Sequence, residues 1–202
     1  PALWQQTHQA AENWMLNLSL IGDCRTAVAD RSVVFNLASD MGGMGFIEAN
    51  KAACMLSSLI NTHLLVASKE SGVERFFFSS SACVYNMEKQ KSPEVTALQE
   101  GDAYPALPED GYGWEKLFGE RMVRNFSEDF GIKGRVARFH NVYGPKGTWN
   151  GGREKAPAAL SRKVAEAEIS GNKTIEIWGD GSQTRSFTFI DDAVIGSELL
   201  MF

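Results

Sequence analysis

The stretch that decides the fold reads Arg75-Phe76-Phe77-Phe78-Ser79-Ser80-Ser81-Ala82-Cys83-Val84-Tyr85. It begins as a continuous apolar run, as a strand of a parallel sheet requires when helices cover both of its faces. Hydroxyl side chains then follow where the apolar run stops. The stretch therefore predicts a buried strand over residues 75–80, with polar groups at its carboxyl end.

Strands and helices alternate on either side of this segment. Further strands are predicted at Val33–Ala38, Gly134–Phe139, Thr174–Trp178 and, as an extended segment, Phe187–Ile190. Helices are predicted over residues 3–17, Phe46–Ser71 (closed by Gly72), Gly111–Gly131, Glu154–Ile169 and from Asp191 or Asp192 onward. A turn is predicted at Ile21–Arg25, and loops are predicted at Asp40–Gly45, Glu88–Pro108 and Asn141–Gly152. The alternation predicts an α/β protein with a Rossmann-like, doubly wound parallel sheet. Ligands of such sheets bind at the carboxyl ends of the strands.

Composition narrows the class of protein. A chain of 202 residues with 44% hydrophobic residues can bury one core, and a net charge of -5 does not indicate a nucleic-acid surface. No apolar stretch is long enough to span a membrane, and no signal peptide is visible. Cys24, Cys54 and Cys83 are odd in number and lack metal-site spacing, which predicts no metal site and reduced thiols in the cytoplasm.

Tyr112-Gly113-Trp114-Glu115-Lys116 places a phenol and an amine one turn apart on a predicted helix. We expect the ammonium of Lys116 to lower the pKa of the Tyr112 phenol through its charge. Such a phenolate can exchange a proton with a sugar hydroxyl while a nicotinamide exchanges the hydride. A Tyr and a Lys at this spacing also occur by chance on exposed helices, but with the strand-end serines upstream they predict a short-chain dehydrogenase-type site.

One element of a dinucleotide-binding fold is absent from the sequence. Such folds open with a strand and a Gly-x-Gly-x-x-Gly turn whose amides hold the pyrophosphate, and no such turn precedes Val33. We therefore expect a fold without its first nucleotide-binding βαβ unit and poor turnover by this chain alone. The expected parts are an aberrant segment over residues 1–20, a partial NAD-binding domain over 21–150 and the start of a nucleotide-sugar-binding part over 151–202.

Several motifs occur in an order that characterises one enzyme family. They are Asp40-Met41-Gly42-Gly43-Met44-Gly45-Phe46, Ser80-Ser81-Ala82-Cys83, Tyr112-Gly113-Trp114-Glu115-Lys116, Arg138-Phe139-His140-Asn141-Val142-Tyr143-Gly144-Pro145, Gly151-Gly152-Arg153-Glu154-Lys155-Ala156-Pro157, Trp178-Gly179-Asp180-Gly181 and Thr184-Arg185-Ser186-Phe187-Thr188-Phe189-Ile190-Asp191. Over roughly residues 21 to 202 the chain resembles the GDP-mannose 3,5-epimerases, extended short-chain dehydrogenases/reductases of the plant ascorbate pathway. The first, second and fifth motifs are the parts most specific to that family. The family resemblance implies that a C-terminal substrate lobe is also missing.

The resemblance implies conversion of GDP-mannose to GDP-L-galactose. NAD would oxidise C4 of the sugar transiently, with Tyr112 taking the hydroxyl proton and Lys116 holding Tyr112 and the nicotinamide ribose. Cys83 as base and Lys155 as acid would then epimerise C3 and C5. For this chemistry we expect a positive neighbour to lower the pKa of Cys83, and burial or another cation to lower the pKa of Lys155.

The resemblance also implies binding residues around these groups. Beside Cys83, Lys155 and Tyr112, the substrate-binding residues would be Gly42, Gly43, Ser81, Ala82, Asn141, Glu154, Ala156, Lys163, Gly179, Asp180, Gly181 and Arg185. Ser81 would touch the sugar, and Gly42 and Gly43 would let the backbone approach it closely. Lys163 would face the cleft of Lys155, and Arg185 would bind phosphate. Asp23 would contact the adenine of NAD.

Two alternatives stay open. Another NAD-dependent nucleotide-sugar 4-epimerase or 4,6-dehydratase would share the Tyr/Lys pair, but a dehydratase has an Asp-Glu pair where this chain has Ala82-Cys83. A simple 4-epimerase has no use for Cys83 with Lys155. A non-catalytic Rossmann-like binding protein or an inactive fragment would fit the missing glycine turn. The family resemblance further implies a homodimer whose interface is built from the Phe46–Ser71 and Gly111–Gly131 helices.

Overall fold

A computed structural model describes residues 12–90, 97–181 and 184–202. The strands are β1 Val33–Asn36, β2 Arg75–Ser81, β3 Lys133–Phe139, β4 Asn141–Tyr143 and β5 Phe187–Phe189. One parallel sheet has the strand order β1-β2-β3, and a second, two-stranded parallel sheet pairs β4 with β5. The helices are α1 Ile21–Val28, α2 Met44–Ala49, α3 Lys51–Ser71, α4 Tyr112–Phe130, α5 Ala156–Ser170 and α6 Ile190–Met201, with short 3₁₀ helices at Ala82–Val84, Met87–Gln90 and Glu100–Ala103. The α/β class and the Rossmann-like parallel sheet are thus confirmed.

Strand β2 is the central strand of the larger sheet, between β1 and β3, and helices cover both of its faces. Phe76 and Phe78 are buried in a core that α1, α3 and α4 complete. Phe77 points to the opposite face, where its ring lies 5.3 Å from Phe35 and 6.3 Å from Phe139 between ring centroids. Helix α6 packs on that side, and Arg75 Nη1 donates to the carbonyl of its last residue at 2.6 Å. The apolar run that opens β2 therefore has the two-sided burial that its composition predicts.

The predicted Phe46–Ser71 helix is correct in position but is two helices. Asn50, with φ -130°, interrupts the helical backbone and caps α3. Gly72 ends α3 in the left-handed conformation with φ 72°, as predicted, because a glycine has no Cβ to clash there. The break leaves α2 as a short separate element directly behind the glycine-rich loop.

Three local predictions are wrong. Ile21–Arg25 opens helix α1 rather than a turn, since Cys24 and Val28 fall on one face and pack against α3. Residues 12–17 are irregular, and residues 3–11 of the predicted helix lie outside the described residues. Thr174–Trp178 forms no strand: the segment has no ladder partner among the described residues, and Trp178 is exposed. The segments predicted as loops contain β4 and two of the 3₁₀ helices, and residues 91–96 lie outside the description.

Strand β1 is shorter and more open than predicted. It ends at Asn36 instead of Ala38, and Phe35 is 41% exposed. Within the described residues β1 pairs only with β2, and a cavity of about 870 Å³ runs along it. Helices in the described part of the chain are too short or too polar to cross a membrane.

Candidate active site

The end of β2 brings three of the predicted functional groups together. Ser81 is the N-cap of the 3₁₀ helix Ala82–Val84, and its Oγ accepts a hydrogen bond from the amide of Cys83 at 3.2 Å. The Ser81 hydroxyl is also close enough to the Tyr112 phenol and to the Cys83 thiol to lower the pKa of each. A hydroxyl at the strand end therefore links the thiol and the phenol.

Gly113 allows the first turn of α4 to dock on this strand end. A Cβ at that position would lie 2.4 Å from the carbonyl oxygen of Cys83, closer than side-chain and backbone atoms approach. The same carbonyl accepts a hydrogen bond from the amide of Glu109 at 2.9 Å. Because Tyr112 directly precedes this glycine, the close approach places the phenol beside the thiol.

The resting form of Cys83 is a thiol. Its pKa is raised to about 12, chiefly by burial and then by the charge and hydrogen bonding of the Glu109 carboxylate. The hydroxyl of Ser81 and the positive charge of Lys155 act in the opposite direction. The expectation of a lowered pKa at Cys83 is therefore wrong for this chain by itself, because burial and the neighbouring carboxylate outweigh the cation.

Lys155 completes the group from a different part of the chain. It is the half-buried N-cap residue of α5, and its charge interacts with Cys83. Burial lowers the pKa of its amine, which is the direction expected from its surroundings, while Cys83 opposes the shift. A thiol that resists losing its proton thus faces an amine that holds its proton weakly.

Tyr112 and Lys116 lie together, but not with the electrostatics that the sequence predicts. Burial raises the pKa of the Tyr112 phenol, and negative charge at Cys83 and Glu115 adds to the shift. Lys116 is 1% exposed, with its Nζ 5.5 Å from the centroid of the Tyr112 ring and 3.7 Å from Oε2 of Glu115. Burial lowers the pKa of Lys116, which makes its ammonium form less favourable, while the charge of Glu115 opposes that shift. Lys116 therefore interacts electrostatically with Glu115 and does not lower the pKa of the phenol.

Gly42 and Gly43 lie against protein atoms. A Cβ at Gly43 would be 2.6 Å from the carbonyl oxygen of Glu154, and one at Gly42 would be 2.8 Å from Cβ of Phe46. The carboxylate of Glu154 accepts from the amide of Gly152 at 2.7 Å. These two glycines therefore allow a close approach of protein segments, namely the glycine-rich loop to Glu154 and to Phe46. Their contact with substrate stays a prediction.

The other predicted binding residues form two further groups. Lys163 Nζ donates to the carbonyl of Glu176 at 2.7 Å and lies 5.9 Å from the ring centroid of Trp178, just before the turn with Gly179, Asp180 and Gly181. Asn141 Nδ2 donates to the carbonyl of Ser186 at 3.1 Å, and Arg185 Nη1 to the carbonyl of Thr184 at 2.7 Å. Each group is ordered by its own backbone contacts.

Three predicted residues, Asp23, Ala156 and Ala82, have local roles in the described structure. Asp23 Oδ2 accepts a hydrogen bond from the amide of Asn17 at 2.6 Å, so the carboxylate holds the segment that enters α1. Ala156 is the first residue of α5, and Ala82 opens the 3₁₀ helix after β2. Their contacts with adenine and substrate stay predictions.

Comparison with known proteins decides the family. The sequence profile of the NAD dependent epimerase/dehydratase family matches residues 5–201. The chain belongs to that family. It is 50% identical to GDP-mannose 3,5-epimerase 1 of Oryza sativa subsp. indica over 183 residues, which are 90% of this chain and 47% of the relative. The chain therefore spans about half the length of the curated relatives it matches.

Solved structures of epimerases share the fold. UDP-glucose 4-epimerase of Thermotoga maritima, solved with UDP-glucose, superposes with a TM-score of 0.76 at 23% identity. The aligned region covers 92% of this chain and 57% of the Thermotoga maritima chain. UDP-glucose 4-epimerase of Thermus thermophilus, solved in complex with NAD, superposes with a TM-score of 0.74 at 21% identity. The aligned region covers 93% of this chain and 59% of the Thermus thermophilus chain. The fold of this chain is thus shared with both solved epimerases.

The cavity along β1 has features that fit the cofactor of the family. It runs along the strand and reaches Ser39 and Asp40 beyond the carboxyl end, which is where dinucleotides bind in such sheets. Ser39 is among its lining residues, and within the described residues its buried hydroxyl has no hydrogen-bond partner. An unsatisfied hydroxyl at this end of the cavity fits a polar ligand, and the volume fits part of a dinucleotide.

Glu109 and Glu115 are functional candidates that sequence reasoning missed. Glu109 lies in a polar loop whose path the sequence does not predict, yet its carboxylate is hydrogen-bonded to Cys83. Glu115 is 2% exposed and neighbours Lys116 both in sequence and in space. The signal for Glu115 was available, since an acid within a buried helix face requires a cation beside it.

Proposed function

We propose that this chain carries the acid–base half of a nucleotide-sugar epimerase that converts GDP-mannose to GDP-L-galactose. The observation that carries the proposal is the meeting of Cys83 and Lys155 beside Tyr112 at the end of β2. Relatives at about 50% identity that are named GDP-mannose 3,5-epimerase support the choice of substrate. A 4-epimerase or a dehydratase would have no use for a thiol and an amine placed in this way.

Tyr112 handles the hydroxyl proton at C4 of the sugar. Its phenol is within hydrogen-bond reach of Ser81, so the serine hydroxyl can orient the sugar and pass a proton between them. Tyr112, Lys116 and the cavity beside Ser39 would hold NAD, which would supply the removal and return of the C4 hydride. Burial of Lys116 and Tyr112 limits the access of water to the pair.

Cys83 and Lys155 exchange protons with C3 and C5. While C4 is a carbonyl, the hydrogens on the two neighbouring carbons are acidic, and inversion needs a base on one face of the ring and an acid on the other. Moving one proton from Sγ of Cys83 to Nζ of Lys155 gives the thiolate base and the ammonium acid together. The raised pKa of the thiol keeps Cys83 protonated at rest, and the lowered pKa of the amine favours the neutral form that can accept this proton. The thiolate, once formed, is then a strong base.

Proton exchange followed by NMR tests this function. The full-length protein is incubated with GDP-mannose and NAD in deuterated water, beside Cys83→Ser. Deuterium at C3 and C5 with the unaltered protein, lost with Cys83→Ser, is the expected result. Absence of exchange with GDP-mannose, or exchange that is indifferent to Cys83, would overturn the assignment. Inversion at C4 of another nucleotide sugar without exchange at C3 and C5 would establish the 4-epimerase alternative.

We also propose that α3 and α4 form a homodimer interface. These helices pack on each other and leave Met55, Leu56, Trp114 and Phe118 between 44% and 62% exposed. Four large apolar side chains on one surface favour burial against a second copy. Light scattering after gel filtration tests this, with Leu56→Glu expected to give a monomer and an unchanged dimer contradicting the proposal.

A place in L-ascorbate biosynthesis and a cytoplasmic location are proposed with the reaction. The product that the reaction implies, a GDP-L-galactose, supports the pathway. Three free cysteines support a reducing compartment. Fluorescence microscopy of a tagged chain and ascorbate measurement in cells that lack the protein test the two points separately.

A further inference from the structure

Arg153 joins the glycine-rich loop before α2 to the loop before α5. Its Nη1 donates to Oδ1 of Asp40 at 2.6 Å and to the carbonyl of Met41 at 3.1 Å. Its guanidinium carbon lies 3.9 Å from the ring centroid of Phe46. One side chain thus makes an ion pair, a backbone hydrogen bond and a stacking contact with a segment more than a hundred residues away in the sequence.

The two backbones meet at the same place. The amide of Gly43 donates to the carbonyl of Arg153 at 3.2 Å. The carbonyl of Glu154 occupies the space that a side chain at Gly43 would need, at 2.6 Å from the Cβ position. The φ of Gly43 is -67°, which any residue adopts, so the requirement for glycine is one of space alone.

Lys155 follows directly, and its own helix does little to position it. Every residue of α5 is described and none is buried, whereas the other long helices each have buried residues. Packing of α5 alone therefore holds its N-cap only weakly. The contacts of Arg153 and Glu154, the two residues before Lys155, attach it to the glycine-rich loop.

We propose that Arg153 is a positioning residue, and that its clasp on Asp40 and Phe46 holds Lys155 opposite Cys83. The inference rests on the proposed function for its catalytic consequence. Arg153 itself has no described contact with Tyr112 or Lys116, although Met41 and Phe46, which it contacts, pack in one cluster with Tyr112 and Cys83. We expect the C4 step to depend on Arg153 less than the proton exchange at C3 and C5, because Lys155, two residues after Arg153, acts only in that exchange. A displacement of about 1 Å at a reacting group lowers rates by roughly a hundredfold.

Arg153→Ala in the full-length protein separates the two steps. With GDP-mannose and NAD, the expected result is a loss of at least about tenfold in deuterium exchange at C3 and C5, with formation of bound NADH at 340 nm within about twofold of the unaltered protein. Arg153→Lys should recover part of the exchange, since it keeps the charge without the planar fork. Arg124→Ala, which breaks an exposed ion pair with Glu128 at 2.7 Å on α4, is the matched control and should change neither. Equal losses in both steps, or no loss, would overturn the proposal.

A second measurement does not depend on activity. The charge of Lys155 lowers the pKa of the Cys83 thiol, so a displaced Lys155 should slow the reaction of that thiol with an aromatic disulfide. We expect Arg153→Ala and Asp40→Asn to slow it by about two- to fourfold at pH 9, with the modified site assigned by peptide mass. Slower reaction in an enzyme that shows no exchange with GDP-mannose would leave the clasp standing and reject the proposed function. Unchanged reaction in both variants, with folding verified by circular dichroism, would reject the clasp.

Discussion

Replacing Glu109 by Gln should make the Cys83 thiol more acidic and more reactive. The Glu109 carboxylate is hydrogen-bonded to the thiol and raises its pKa, whereas the amide of Gln keeps the shape and removes the charge. Burial, the larger cause of the shift, is unchanged by this substitution. The variant therefore isolates the electrostatic contribution of one side chain to the reactivity of the thiol.

The expected size follows from the raised pKa. The fold raises the Cys83 pKa from 9.0 to about 12. Removing a like charge in contact with the thiol lowers its pKa by about one unit or more. One unit gives about ten times more thiolate at pH 9, and the lower basicity of that thiolate makes each one about a third as nucleophilic. The net result is a reaction with an aromatic disulfide about three- to fourfold faster.

Stopped-flow absorbance with peptide mass assignment measures this rate, since Cys24 and Cys54 are buried and can be told apart. Asp110→Asn is the matched control: it removes the neighbouring carboxylate, which pairs with Lys51 instead of the thiol. An unchanged or slower reaction of Glu109→Gln would refute the electrostatic reasoning, and equal acceleration by Asp110→Asn would show a general charge effect.

The same shift predicts the pH dependence of stability. Because the fold raises the Cys83 pKa, it favours the neutral thiol, and this contribution to the free energy of unfolding is fully present below pH 9. It is lost as the pH rises from 9 toward 12. Glu109→Gln should lose less stability over that range in urea titrations, and an identical alkaline loss would contradict the assignment.

Three further substitutions test the contacts that support the site. Gly119→Ala places a Cβ 2.5 Å from Cζ of Phe78 and should destabilise the fold by about 1–3 kcal/mol in urea unfolding, whereas Gly196→Ala, with no described atom within 4 Å, should stabilise α6 by up to about 1 kcal/mol. Equal stability of the two variants would contradict the packing argument. Glu120→Ala removes a carboxylate that binds Nε and Nη2 of Arg138 at 2.8 and 2.7 Å, with both side chains at most 15% exposed, and should cost about 3 kcal/mol because the guanidinium stays behind unpaired. A loss below about 0.5 kcal/mol would show that this pair behaves as a surface pair.

The features that the sequence predicts best are those that local chemistry determines. The strand before Ser81 and the helix that begins at Tyr112 are correct because apolar runs and glycine stops carry their own signal. The turn predicted at Ile21–Arg25 is wrong because a glycine does not always break a helix, and Gly22 lies in open space on the exposed side of α1. The strand predicted at Thr174–Trp178 is wrong because an apolar, β-branched segment becomes a strand only when a ladder partner is available.

The parts of the candidate site that could not be predicted depend on contacts between distant segments. Nothing in the sequence around Glu109 indicates that its carboxylate meets a thiol from the preceding strand end. The pKa direction expected at Cys83 is wrong for the same reason, since the sequence indicates the positive neighbour Lys155 and not the carboxylate. The Arg153 contact with Asp40 likewise requires the tertiary structure.

The buried neighbours Glu115 and Lys116 have a consequence for how this sequence drifts. Removing either one alone strands a charge away from water, but exchanging both together for apolar side chains of similar volume is often neutral or favourable for folding. The pair is therefore better explained by a role in chemistry than by a contribution to folding. In a duplicated gene that is no longer selected for catalysis, we expect both residues to be replaced together. A relative with apolar residues at both positions would therefore be expected to lack the activity.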